Sequence, residues 1–229
     1  HISSSMPVLK CLCNCNRTFK SLGSDIFSTN MWPETSAQKD GIIQYAPHVP
    51  ESLVDTILQG PHFSISNPIN KSSRGECLLK SDFDAIDLSI IPDSYIPRCK
   101  YKPACSMDLY IKKIPMTPWE HRSHNDYRIF IRRMLNQSGE RTLICAIMPP
   151  EVAHVHTVLD LSLNQNIYGY ICGYLSSIVF DFYIRTTGRN DVYFETLSVL
   201  PLPLKFKDEI SVRTLLLNCL TRYYTTLWK

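Results

Sequence analysis

The chain has 229 residues and a mass of 26.3 kDa, with 44% hydrophobic and 20% charged residues, an ordinary globular composition that excludes disorder, collagen and coiled coil. Twenty-four Lys and Arg against 21 Asp and Glu give a net charge of +3, which alone selects no partner. The total hides a gradient: seven basic residues face ten acidic ones from His1 to Tyr95, ten face four from Ile96 to Cys145, and seven face seven from Ala146 onward, so the middle segment carries +6.

The first five residues, His-Ile-Ser-Ser-Ser before Met6, read as a tag or vector remnant, and no secretory signal is evident. Residues 6–49 have weak periodicity and scattered Pro, Ser and Asn, and are expected to be irregular or the edge of a preceding domain. Residues 50–229 are expected to form the main domain. Pro50 suits the first turn of a short helix over Glu51–Gln59, with Gly60 as its stop. From Phe63 to Tyr110 the chain is rich in Pro, Asn, Ser and Asp, which predicts loops and short strands of the kind that carry binding functions.

The clearest local structure is a β-hairpin. Tyr127, Ile129 and Ile131 alternate with Arg128, Phe130 and Arg132, and after Gln137-Ser138-Gly139 the run Thr142–Met148 is strongly apolar until Pro149 and Pro150 end it. Ile167, Tyr170, Ile171, Tyr174, Leu175, Ile178 and Phe182 recur at spacings of three and four, predicting one helix down to about Arg185, with Gly188 closing the loop beyond it. Leu161–Phe180 lacks charge over twenty residues, but its Asn, Gln, Ser and Gly favour a buried helix over a membrane span. After Leu200-Pro201-Leu202-Pro203, Asp208 and Glu209 open a last helix with a stripe of Leu216, Cys219, Leu220, Tyr223 and Leu227. The fold class expected is α+β, a mixed or antiparallel sheet containing the hairpin, with packed helices.

Catalytic signatures are missing from the sequence. The eight glycines never form a phosphate-binding loop, no G-x-S-x-G elbow or H-E-x-x-H helix occurs, and no lysine follows an acid by two positions as in metal-dependent nucleases. Asn67-Pro68-Ile69-Asn70 reads as a turn. His121, His124 and Asp126 leave a hydrolase as a rival. Nine cysteines, an odd number, read as reduced cytosolic thiols, from which a cytoplasmic location is expected. Cys11, Cys13 and Cys15 lack the Cys-x-x-Cys spacing, and His154 and His156 lack a third ligand, so no metal is expected.

The +6 segment is the candidate binding surface. Arg98, Lys100 and Lys102 alternate with Cys99, Tyr101 and Pro103 and project from one side of an extended chain. Arg128 and Arg132 share a strand face with Phe130, and Arg122 precedes them. Arg185 and Arg189 flank Thr186-Thr187-Gly188 in a second basic loop. Guanidinium groups clamp phosphates and pair with guanine, so these eight residues are the candidate DNA contacts. Arg141 beside Glu140 serves equally as an ion pair or a DNA contact, Lys112 and Lys113 read as surface charges, and an acidic protein partner would select the same surface.

The run Tyr127-Arg128-Ile129-Phe130-Ile131-Arg132-Arg133, then Gly139-Glu140-Arg141-Thr142-Leu143-Ile144-Cys145-Ala146-Ile147-Met148-Pro149-Pro150, resembles the specificity region of large bacterial N6-adenine DNA methyltransferases and type IIG restriction-modification enzymes. So do Leu175-Ser176-Ser177-Ile178-Val179-Phe180-Asp181-Phe182-Tyr183-Ile184-Arg185, the Leu200-Pro201-Leu202-Pro203 exit, and the stretches Pro61–Pro68 and Pro97–Pro103. The resemblance covers roughly residues 50–205. It implies a target-recognition domain that binds double-stranded DNA beside the methyltransferase domain of a parent chain, with no membrane partner. S-adenosylmethionine, and Mg²⁺ if the parent also cleaves, would belong to that parent and not to this chain, which is expected to be non-catalytic by itself. The resemblance also implies that Glu140, Arg141, Ser177 and Asp181 act as scaffold while other loops read bases. The competing reading is a protein-interaction module of a larger assembly.

Overall fold

The computed structural model describes residues 6–7, 10, 12–65, 67–202 and 205–229; the proposed tag remnant, Cys11, Ser66 and Pro203 lie outside the described residues. The chain is α+β. One four-stranded antiparallel sheet, in the order β1-β10-β7-β8, is made of Ile26–Thr29 (β1), Val158–Leu163 (β10), Arg128–Arg132 (β7) and Cys145–Met148 (β8). A second sheet is mixed, in the order β2-β6-β3-β9, from Ile43–His48 (β2), Cys99–Pro103 (β6), Ile57–Leu58 (β3) and Ala153–His154 (β9), with β3 and β9 parallel. Lys71–Ser73 (β4) and Phe83–Ala85 (β5) form a separate hairpin.

The predicted hairpin is present, with Arg128 opposite Met148 and Ile131 opposite Cys145. Its alternation separates two cores. Ile129 and Ile131 face the helices, where they join Leu161, Ile171, Phe180 and Tyr224. Phe130 faces the second sheet and packs with Val158, Ala146, Leu58, Phe63 and Cys99. The far side of the second sheet is covered by Glu34–Lys39 (α1) and Met107–Lys113 (α2), which bury Trp32, Tyr110 and Ile114 against Ile43, Ile57 and Tyr101.

Four expectations are corrected. Residues 6–49 are not merely irregular: β1 and β2 come from this segment and pair with β10 and β6, so the boundary expected at residue 50 falls inside both sheets. The helix expected over Glu51–Gln59 is a turn followed by β3, which the second sheet recruits. The helix expected from Ile167 to about Arg185 is two helices, Tyr168–Leu175 (α3) and Ile178–Thr186 (α4), because Ser177 acts as an N-cap whose hydroxyl accepts from the Phe180 amide at 3.3 Å. Gly188 follows α4 with φ of 63°, the left-handed conformation that a Cβ disfavours. After Phe194–Ser198 (α5), the last helix is Lys207–Asn218 (α6); it turns the predicted Leu216 to solvent, ends before the also exposed Leu220, and buries Thr214 and Asn218 instead.

The burial of Asn218 has a reason. β8 is an edge strand, and its outward Ile147 amide donates to Asn218 Oδ1 at 2.9 Å while the Ile147 carbonyl accepts from the Tyr224 hydroxyl at 2.9 Å. Side chains from the C-terminal segment thus satisfy backbone groups that another strand would otherwise occupy. Asn218→Ala orphans a buried amide and is expected to lower stability by about 1–3 kcal/mol in urea unfolding. A cost within experimental scatter would show that the edge has another partner.

Candidate nucleic-acid interface

The eight basic residues singled out by sequence do not form one surface. Arg128 is fully buried between the two sheets, where its Nη1 donates to Asp160 Oδ2 at 2.9 Å and its Nη2 to the Val152 carbonyl. Asp160 Oδ1 accepts from the Thr29 amide at 2.9 Å, and Oδ2 also lies 3.3 Å from His154 Nε2. This is an internal strut, and Arg128 reaches no external phosphate. Lys100 is also buried: its ammonium donates to the carbonyls of Leu79 and Lys80 at 3.0 and 3.2 Å and sits 4.3 Å above the Phe83 ring.

Arg185 belongs to a structural joint. Its Nε donates to Thr142 Oγ1 at 2.8 Å and its Nη2 to the carbonyls of Gly139 and Glu140 at 2.7 and 3.3 Å. Asp181, one turn earlier, accepts the amides of Thr142 and Leu143 at 2.7 and 2.8 Å. Asp181→Ala leaves two buried amides without a partner and is expected to cost about 2–4 kcal/mol, whereas Asp181→Asn keeps an acceptor oxygen and costs less. Equal losses for the two variants in thermal unfolding would contradict this assignment.

Arg122 spends one Nη on the Ile114 carbonyl at 2.6 Å. Arg189 is exposed and donates to Thr196 Oγ1 at 3.1 Å. Lys102 is half-exposed on β6 opposite Gln44, and the half-exposed Arg98 guanidinium lies beside Gly75. The face expected from the alternation of Arg98, Lys100 and Lys102 is therefore broken by Lys100, which the β4–β5 loop covers.

Arg132 and Lys100 do meet, in a cleft of about 430 Å³. Arg132 donates from Nε to the Gly60 carbonyl at 2.8 Å and from Nη2 to the Phe63 carbonyl. Burial lowers its pKa to about 10, which leaves it cationic at neutral pH. Lys80 adds a third cation, and Glu34, at the start of α1, supplies a carboxylate that accepts from Gln59 Nε2 at 3.1 Å. Tyr45 and Tyr101, register partners on β2 and β6, form one wall with rings edge to face at 5.5 Å. Burial and then the Glu34 carboxylate raise the Tyr101 pKa to about 12.

Sequence reasoning missed Glu34, Tyr45, Gln59, Lys80 and His156, which line the same cleft. They come from five separate segments, two of them in the region expected to be irregular. The only local signal is Lys80, an isolated cation at the tip of a turn.

The hydrolase rival gains little. His121 Nε2 lies 3.3 Å from Asp126 Oδ2, but His124 is buried. Burial, with Arg128 and Arg122 nearby, lowers the His124 pKa to about 4. Among the described residues no three His, Cys, Asp or Glu side chains are gathered to hold a metal ion, and no helix is long and apolar enough to cross a membrane. Cys13 is exposed and Cys15 half-buried, both as thiols.

His62 is buried like His124, its Nδ1 accepting the Gln59 amide at 2.9 Å while Nε2 donates to the Arg98 carbonyl at 3.1 Å. Burial lowers its pKa from 6.5 to about 4. Both imidazoles are neutral when folded, whereas the unfolded chain protonates them near 6.5. Their contribution to stability is complete above about pH 6.5 and falls as pH drops toward about 4, with up to two protons taken up on unfolding. Urea midpoints at about pH 7 and about pH 5 test this: the midpoint falls in the parent and falls less in His124→Gln. An unchanged midpoint would refute it. No family model matches the chain, and no curated protein matches it.

Proposed function

We propose that this chain is the target-recognition domain of a restriction-modification enzyme, and that it binds specific sequences in duplex DNA for a parent that methylates adenine at N6. The observation that carries the reading is the joint between Gly139–Leu143 and α4. The two sequence elements that carry the resemblance lie some forty residues apart, and Asp181 and Arg185 fasten them together. In a recognition domain such shared residues hold a scaffold while the surrounding loops vary, and the accessible cations here lie in loops, as Lys80, Arg98, Arg122 and Arg189 do, or near strand ends, as Lys102 and Arg132 do. Lys80 and Arg132 at the cleft, with Arg98, Lys102, Arg122 and Arg189, are then the positions that meet phosphates or bases, while Arg128, Lys100 and Arg185 hold the fold. S-adenosylmethionine chemistry belongs to the parent's methyltransferase domain.

The test is selection from a randomised duplex library at low and moderate salt. A recovered motif is expected. Lys80→Ala and Lys102→Ala should weaken binding to all sequences and each reduce the salt slope by about one. No binding even at low salt would remove autonomous DNA recognition.

A second reading, a protein-interaction module, is favoured by the outer face of α6, where Leu216 and Leu217 are each 60% exposed and Leu220 follows. Monomeric surfaces seldom leave such residues grouped.

A further inference from the structure

The cleft beside Arg132 has features that contact with a DNA backbone alone does not require. Its volume of about 430 Å³ lies within the range of roughly 300–1,000 Å³ usual for small-molecule sites. Its lining combines three chemistries: cations from Lys80 and Arg132, the Glu34 carboxylate, and the rings of Tyr45 and Tyr101. Its rim is apolar and conspicuously exposed, with Leu78 95% and Leu79 65% accessible on the β4–β5 loop and Met134 63% accessible after β7.

That rim is not a slack loop. Asp82 Oδ2 accepts the amides of Leu78 and Leu79 at 2.8 and 2.7 Å, the Lys100 ammonium holds the carbonyls of Leu79 and Lys80, and the Tyr45 hydroxyl donates to the Cys77 carbonyl at 3.1 Å. Arg74 adds an ion pair to Asp84 at 2.9 Å. The loop spends a buried lysine and an aspartate on holding two leucines in water. Such an arrangement leaves apolar area to be covered by a flat, apolar-faced ligand rather than by the protein itself.

The geometry points to a site for one nucleotide whose base carries an exocyclic amino group. The base lies between the Leu78–Leu79 rim and the tyrosine wall, its amino group donates to the Glu34 carboxylate, and its phosphate meets Lys80 and Arg132. Stacking tolerates every base, whereas a carboxylate acceptor favours amino-bearing bases over thymine. Two sources share this chemistry, a free mononucleotide and an unstacked nucleotide within a strand.

The experiment uses the full chain and two probes. The four deoxynucleoside monophosphates are titrated by amide chemical shifts, and single strands and duplexes carrying 2-aminopurine at successive positions are followed by fluorescence. Shifts at Tyr45, Tyr101 and Leu79 are expected with dAMP, dCMP and dGMP, and weaker ones with dTMP. Lys80→Met should weaken nucleotides several-fold and leave nucleosides unchanged. Glu34→Gln should narrow the preference against dTMP. A fluorescence rise at one position of a bound strand assigns the site to an unstacked nucleotide, and free-nucleotide shifts without such a rise assign it to a free ligand; either result supports the site. No shift with any nucleotide together with no fluorescence rise overturns it, as does an equal response to all four bases that Glu34→Gln leaves unchanged. The DNA reading is separable: salt-dependent duplex binding without these signals removes the nucleotide site alone, and nucleotide shifts without duplex binding remove the DNA reading alone.

Discussion

Arg128→Met is expected to destabilise the fold by about 3–5 kcal/mol, among the largest effects of any single change to a basic residue here. The guanidinium is fully buried and spans the Asp160 carboxylate and the Val152 carbonyl, so it ties β7 to β10 and to the turn before β9. Removing it leaves Asp160 ionised between two sheets with only the Thr29 amide and His154 beside it. Although burial opposes ionisation, His154, Arg128 and the Thr29 amide together hold the Asp160 pKa below its ordinary value. A depressed carboxylate pKa contributes stability above the unfolded value and loses it as pH falls through the folded one. Without Arg128 that depression shrinks, so the deficit of the variant should be greatest near neutral pH and narrow on acidification. The double variant Arg128→Met/Asp160→Leu should recover part of the loss, because an apolar pair of similar volume costs no unpaired charge. Urea denaturation of the three variants over pH checks all of this. A loss of less than about 1 kcal/mol for Arg128→Met would show that water reaches the strut. If the pair were instead a DNA contact, Arg128→Met would weaken binding at unchanged stability.

The same residue shows where a sequence stops being legible. Alternation along Tyr127–Arg132 correctly reports a strand with two distinct faces, but periodicity carries no information on what covers the second face. Here the cover is a sheet assembled from residues 43–48, 57–58, 99–103 and 153–154, of which only 99–103 shows an alternation, and that alternation does not say what the segment pairs with. Ile26 finds its partner at Leu163 and Ile57 finds Ala153, separations that local propensity cannot register. An arginine that reads as solvent-facing is therefore internal. The split between α3 and α4 was open to reading, since Ser177 has the chemistry of an N-cap, yet the apolar spacings of three and four run through it unbroken. The cleft was the least legible part. Glu34, Tyr45, Lys80, Arg132 and His156 are brought together only by the crossing of both sheets and the β4–β5 loop. Asp181 and Arg185 lie in a segment that the sequence singles out, but Arg185 reads there as a DNA contact, whereas in the structure each satisfies backbone groups of a distant loop.

Gly173 makes the second strong prediction, because the contact of α3 with α6 leaves no room for a side chain there. Gly169 and Gly173 lie four residues apart and so share one face of α3. A Cβ at Gly173 would collide with Thr214 Oγ1 and stand 2.5 Å from Ile210 Cγ2, whereas one at Gly169 would be 3.2 Å from Ser211 Cα. Thr214 cannot simply rotate away, since its hydroxyl already donates to the Ile210 carbonyl at 2.8 Å, and both residues are branched at Cβ. Gly→Ala raises intrinsic helix propensity by about 1 kcal/mol, so two terms of opposite sign compete at each position. At Gly169 a shift of a few tenths of an ångström relieves the contact, and Gly169→Ala should be near neutral. At Gly173 the overlap requires the helices to separate, and overpacking of about 1–3 kcal/mol outweighs the propensity gain. Gly173→Leu should cost more than about 3 kcal/mol, because α6 carries Asn218 and moving it also releases the Ile147 amide at the edge of β8. Thermal unfolding of the three variants, with amide exchange at Ile147, decides the matter. Ile147 should exchange faster in Gly173→Leu than in Gly169→Ala. Equal stability of Gly173→Ala and Gly169→Ala would mean that α6 is free to move away from α3, and the edge of β8 would then depend on Tyr224 alone.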